Sequence, residues 1–113
     1  GVSWLPPFLW RVTKNWKGLR GEIPWVKNSP SEIVRHHVRL TAQPFDCPGD
    51  PASVERLCEQ IGSDEMLMFA SDYPHWQFDG FDALPAGMNE GLRRKIVLEN
   101  PLKIYTRLQE TVK

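Results

Sequence analysis

Met66-Leu67-Met68-Phe69-Ala70-Ser71-Asp72-Tyr73-Pro74-His75-Trp76 is a solid apolar run that ends on a carboxylate and then a turn. Five apolar residues without alternation suit a strand covered on both faces, the kind found in parallel sheets. In α/β folds built on such sheets the functional groups lie at the carboxyl ends of the strands, which is where Asp72 falls. The stretch therefore predicts a buried parallel strand that delivers Asp72 to a site.

Working backwards, Val38-Arg39-Leu40-Thr41-Ala42-Gln43 is β-prone and alternating until Pro44 interrupts it, and reads as a second strand. Between the two strands, Asp50-Pro51 marks a helix start. Val54, Leu57, Cys58 and Ile61 form an apolar stripe that stops at Gly62. Strand, helix, strand over this length is a βαβ unit, which makes the strands parallel. Further upstream, Ser29 and Glu32 have the spacing of a capping box with Pro30 at the first helical position, predicting a short helix from Pro30 to about His36. Phe8, Leu9, Val12, Trp16 and Leu19 recur at three- and four-residue steps and predict an amphipathic helix over Pro7 to Arg20. Downstream, Gly80, Pro85 and Gly87 punctuate a loop containing Asp79, Phe81 and Asp82. A last helix is expected from Asn89, with Leu92, Ile96 and Val97 buried and an interruption or restart at Asn100-Pro101.

The chain has 113 residues, enough for one domain at most. Fourteen Lys and Arg balance fourteen Asp and Glu, so no field of one sign favours nucleic acid or an anionic membrane surface. No apolar run approaches the roughly 20 residues that span a bilayer, and a cytoplasmic protein is expected. Cys47 and Cys58 fit neither a Cys-x-x-Cys redox pair nor a usual zinc clip, and read as reduced structural thiols. Five tryptophans, Trp4, Trp10, Trp16, Trp25 and Trp76, are more than a small domain buries in full. Some are expected to face a ligand, a partner or another part of the same protein. The first residue is Gly1 rather than Met, and an upstream portion is expected.

Taken together, Gly1-Val2-Ser3-Trp4-Leu5-Pro6, Pro30-Ser31-Glu32, Leu40-Thr41-Ala42-Gln43-Pro44, Phe69 to Trp76 and Glu99-Asn100-Pro101 resemble, in order and spacing, the carboxy-terminal third of the amidohydrolase-2 family of metal-dependent hydrolases and decarboxylases. The resemblance implies an α/β chain that forms the carboxy-terminal portion of a (β/α)8 TIM barrel, about two parallel strands with surrounding helices. Residues 1–113 would make one partial barrel domain, since a whole barrel needs about 250 residues. Val38 to Gln43 would be the seventh strand and Met66 to Ser71 the eighth, with the helix from Asn89 outside it.

The family resemblance also implies a divalent metal, commonly zinc, held by a His-x-His pair, a further histidine and an aspartate after the last strand. Only the aspartate has a counterpart here, Asp72, and the sequence contains no His-x-His. Zinc takes about three or four protein ligands, so the chain alone is expected to bind none and to be inactive. Asp72 is the candidate metal ligand and catalytic carboxylate, able to hold a metal or take a proton from metal-bound water. The competing account is a strand-end cap that accepts backbone hydrogen bonds. His75, three residues on, is the candidate proton carrier or substrate contact, against a histidine that bonds its own loop. Trp4 is the candidate wall for a flat substrate, against core packing. His36 and His37 are adjacent, point in different directions, and are expected to be structural or surface residues.

The expected partners are a small carboxylated substrate, aromatic ones included, and no nucleic acid or membrane. Association is expected either with itself as a homo-oligomer or with the missing part of the barrel. The alternative is a stand-alone interaction module that self-associates through exposed strand edges and the aromatic helix.

Overall fold

The computed structural model describes residues 1–76, 80 and 83–111. The loop residues Asp79, Phe81 and Asp82 lie outside the described residues.

Helix α1 spans Leu5–Leu19 and α2 spans Pro30–His37. Strand β1 is Leu40–Thr41, α3 is Pro51–Ile61 and β2 is Leu67–Met68. A last helical stretch runs as α4 (Glu90–Arg94), a π-helical turn (Lys95–Glu99) and α5 (Asn100–Ile104), followed by a short α6 (Thr106–Gln109). The two strands pair in parallel, with Leu40 opposite Leu67 and Thr41 opposite Met68, so β1, α3 and β2 form the expected crossover unit.

Helix starts follow the local chemistry. Ser29 and Glu32 close a full capping box at α2, Asp50 caps α3 through a 2.8 Å bond from the Ser53 N–H, and Asn89 caps α4 through a 2.8 Å bond from the Leu92 N–H. The Ser53 hydroxyl, followed by its backbone N–H, holds the Asp50 carboxyl below its ordinary range. Gly62 ends α3 at φ 71°, a left-handed cap that suits glycine.

Element bounds differ from the sequence expectation in α1, β1 and β2, the last covering only Leu67–Met68 where Met66 to Ser71 was expected. Helix α1 starts two residues earlier, at Leu5, and its buried face is Leu5, Pro6 and Leu9. Phe8 and Leu19 are instead 43% and 45% exposed, because the helix packs on α2 and α3 along a stripe rotated away from them. The ladder of β1 is only two residues long, since Val38 is still engaged as the carboxy cap of α2, donating its N–H to the Val34 carbonyl at 2.8 Å.

Met66, Leu67 and Met68 are buried, and join Val2, Leu5, Leu9, Ala42, Val54, Ile61 and Ile96 in one core. Burial ends at Phe69, which is 38% exposed, so the covered part of the apolar run is shorter than its composition implies. Cys47 and Cys58 are free thiols at the margin of this core. Desolvation pushes both thiols up, with the Asp50 charge adding at Cys47 and Cys47 adding at Cys58, which disfavours thiolate chemistry.

The interruption or restart expected at Asn100-Pro101 is found as a restart, with α5 beginning at Asn100 after the π-helical turn. The helix passes through by widening: the Asn100 N–H reaches back five residues to the Lys95 carbonyl, and Pro101, which lacks an N–H, sits at the start of α5. Asn100 itself is 2% exposed and its side-chain amide donates to the carbonyls of Leu67 at 2.8 Å and Asp64 at 2.9 Å. Two exposed ion pairs flank that contact, Lys95 with Asp64 at 2.5 Å and Lys103 with Glu65 at 2.7 Å. The first raises Lys95 above its usual value, and the second lowers Glu65, in each case through the hydrogen bond before the charge. Among the described residues no helix is long and apolar enough to cross a membrane.

Candidate functional site

Because the strands are parallel, the ends of β1 and β2 emerge on the same side. After β2 the chain runs through Ala70 and Ser71 to Asp72, which adopts φ 62°. A residue with a Cβ is uncommon there, and aspartate tolerates it better than most because its short polar side chain can bond locally. The left-handed turn sends the chain back on itself. The His75 N–H donates to the Asp72 carbonyl at 2.7 Å, and the Tyr73 N–H donates to the Ser71 hydroxyl at 3.4 Å.

The same turn brings the two predicted side chains together. His75 Nδ1 lies 3.1 Å from Asp72 Oδ2, with the side chains 52% and 37% exposed. An imidazole against a carboxylate in this position can carry a proton to or from a bound molecule while the carboxylate orients the ring. Both remain open to solvent, so a ligand can reach them. The Asp72 side chain thus pairs with His75, and its backbone carbonyl accepts from the His75 N–H.

Trp4 is not joined to this pair by any hydrogen bond, ion pair or ring contact among the described residues. It stands at the head of α1, 49% exposed, donating its indole N–H to the Gly1 carbonyl at 2.9 Å and meeting Phe8 edge-on at 5.6 Å between ring centres. His36 and His37 are exposed at the end of α2, their rings perpendicular and 4.7 Å apart, as expected of surface residues.

Two further residues were not singled out as site residues from the sequence. Trp76 is 83% exposed and its ring lies 5.6 Å from that of His75, so the pair presents an aromatic flank beside Asp72. The signal was available, since Trp76 directly follows the histidine. Gln43, two residues beyond β1, is only 5% exposed; a polar residue ending the alternating run was the clue.

A surface cavity of about 580 Å³ lies elsewhere, between α3 and α4, with Cys58, Gly62, Asp64 and Lys95 in its wall. Asp64 precedes β2, so this cavity sits at the amino end of the strand, away from Asp72.

A model of the family described as Amidohydrolase matches residues 1–107. The chain belongs to the amidohydrolase family. That family is built on the TIM barrel and is generally metal-dependent. No curated protein matches the chain. Within this amidohydrolase chain, no group of three or more His, Cys, Asp or Glu side chains that could hold a metal exists among the described residues. Asp72 and His75 supply two donors at most, already turned toward each other, which falls short of the three or four that zinc takes from protein. Among the described residues the donors do not make a metal centre by themselves.

The left-handed backbone separates the conformational role of Asp72 from its charge. Asp72→Asn and Asp72→Gly should each leave stability within about 0.5 kcal/mol of the parent, whereas Asp72→Val should cost about 1–2 kcal/mol. Urea denaturation checks this, and equal stability of the valine variant would contradict the strained turn.

Proposed function

We propose that this chain is the carboxy-terminal part of a metal-dependent hydrolase or decarboxylase of the amidohydrolase family, residues 1–113 forming one partial TIM-barrel domain with β1 and β2 as its last two strands. Its substrate is a small carboxylate, aromatic ones included. The observation that carries this reading is the delivery of Asp72, paired with His75, to the carboxyl end of a buried parallel strand. Barrel enzymes place their chemistry at that face, and the residues that end the strands are the ones that act.

In the complete enzyme Asp72 is the carboxylate ligand to a divalent ion, zinc by family resemblance, with the remaining ligands contributed by other strands. His75 holds a proton at Nδ1 or passes it to the reacting group, and Trp4 contributes an aromatic wall. The chain alone, lacking a full donor set, has no turnover. Its association is with the remainder of the barrel or with further copies of itself; nucleic acid and membrane are not partners, and the compartment is the cytoplasm.

A second reading, a stand-alone interaction module, is favoured by the aromatic surface. Trp25 is 72% exposed, Trp10 54% and Trp76 83%, a large apolar area for a small domain to leave in water.

In the product of the complete reading frame supplied with zinc or manganese, Asp72→Asn should lower turnover by about two to four orders of magnitude while unfolding stays cooperative. Unchanged turnover, or a parent protein that binds no metal, would remove the enzymatic reading. The 113-residue chain should self-associate at micromolar concentration in light scattering. A well-folded monomer would count against both the partial barrel and the interaction module.

A further inference from the structure

Among the described residues Trp76 is the most exposed tryptophan, at 83%, and the only one whose ring meets a member of the Asp72–His75 pair. The others have different surroundings. Trp16 donates its indole N–H to the Val26 carbonyl at 2.9 Å and lies under the Arg20 guanidinium, and Trp4 donates to Gly1. Trp10 and Trp25 belong to α1 and to the connection after it.

The Trp76 indole is set in place by the residue before it. The His75 N–H is fixed on the Asp72 carbonyl at 2.7 Å and the imidazole Nδ1 lies 3.1 Å from Asp72 Oδ2, so both backbone and ring of His75 are held. The Trp76 ring sits 5.6 Å from the imidazole, centre to centre, and is tilted 40° to it. At that tilt the imidazole does not lie flat on the indole, whose exposure leaves a face open to a ligand. With Nδ1 turned to Asp72, Nε2 is the imidazole nitrogen that has no partner among the described residues.

An open indole face beside a ring nitrogen without a partner offers two points of recognition. A flat π ring stacks offset on the indole and gains beyond the area it buries; a saturated ring of similar size is puckered, has no π face and lacks that gain. The carboxylate of such a molecule then falls against His75, where a protonated imidazole donates from Nε2. The place in the fold agrees, since the turn follows β2 at the carboxyl end of the parallel strands. Barrel enzymes bind substrate on that face, and completing the barrel adds loops around it without moving the turn elsewhere.

We propose that Trp76 is the specificity-determining residue of the site: its indole face stacks on the ring of an aromatic carboxylate, and the adjoining His75 Nε2 meets the carboxylate group. The proposal rests on the reading of the Asp72–His75 pair as a substrate site, and it narrows the substrate class from small carboxylates to those with a flat ring.

Benzoate and cyclohexanecarboxylate, equal in charge and close in size, are the probes, titrated by calorimetry into the product of the complete reading frame. Benzoate should bind about two- to tenfold more tightly than cyclohexanecarboxylate. Trp76→Ala should bring that ratio to about one, Trp76→Phe should retain most of it, and Trp25→Ala should leave it unchanged. With 5-fluorotryptophan incorporated, benzoate should shift the fluorine resonance that Trp76→Phe removes, and the remaining tryptophan signals report that each variant is folded. Equal binding of the two acids by the parent protein, a preference that survives Trp76→Ala, or its loss in Trp25→Ala as well, overturns the proposal. Every readout is binding, so full turnover in Asp72→Asn would refute the catalytic reading and not this one.

Discussion

A strand buried on both faces has two rows of backbone groups to satisfy, and β2 has a strand beside only one of them. A buried carbonyl or N–H left without a partner costs about 1–3 kcal/mol, a large share of what a chain of this size has in reserve. The second row is met by the helical stretch that follows, through the Asn100 amide and the Ile96 carbonyl. The exposed ion pairs Lys95–Asp64 and Lys103–Glu65 lie along the same seam and add little by comparison, since exposed pairs are screened. The amide has its own cost: Asn100 Oδ1 is buried without a hydrogen-bond partner among the described residues.

That arrangement alters the picture of open strand edges drawn from the sequence. At Leu67 and Phe69 the far edge of β2 is occupied by the chain's own helix, so strand addition there would have to displace it.

Legibility in the sequence followed locality. The caps at Ser29 and Asp50, the helix start near Asn89 and the stop at Gly62 were readable because each acts within four residues on its own backbone. The parallel pairing was readable from the crossover length. The Asp72–His75 pair was readable as a spacing in a turn, although the left-handed φ that closes it was not. What could not be read depends on tertiary contact. Phe8 fits the apolar stripe of α1 by period, yet packing on α2 and α3 rotates it into solvent. The restart at Asn100-Pro101 was readable, but the π-helical turn that leads into it was not, because it answers to the strand groups beside it. Trp4 carried no signal for which way its indole faces, and it lies with Phe8 rather than with Asp72.

Whether Asp72 faces a metal in the complete enzyme decides between the proposed readings. Anomalous diffraction at the zinc edge, from crystals of the complete reading frame's product grown with zinc, answers this directly. The account predicts a peak about 2.0–2.2 Å from a carboxylate oxygen of Asp72, with ligands from other strands completing the shell. A zinc site built without Asp72, or a structure in which the Asp72–His75 turn faces away from the barrel mouth, would contradict it.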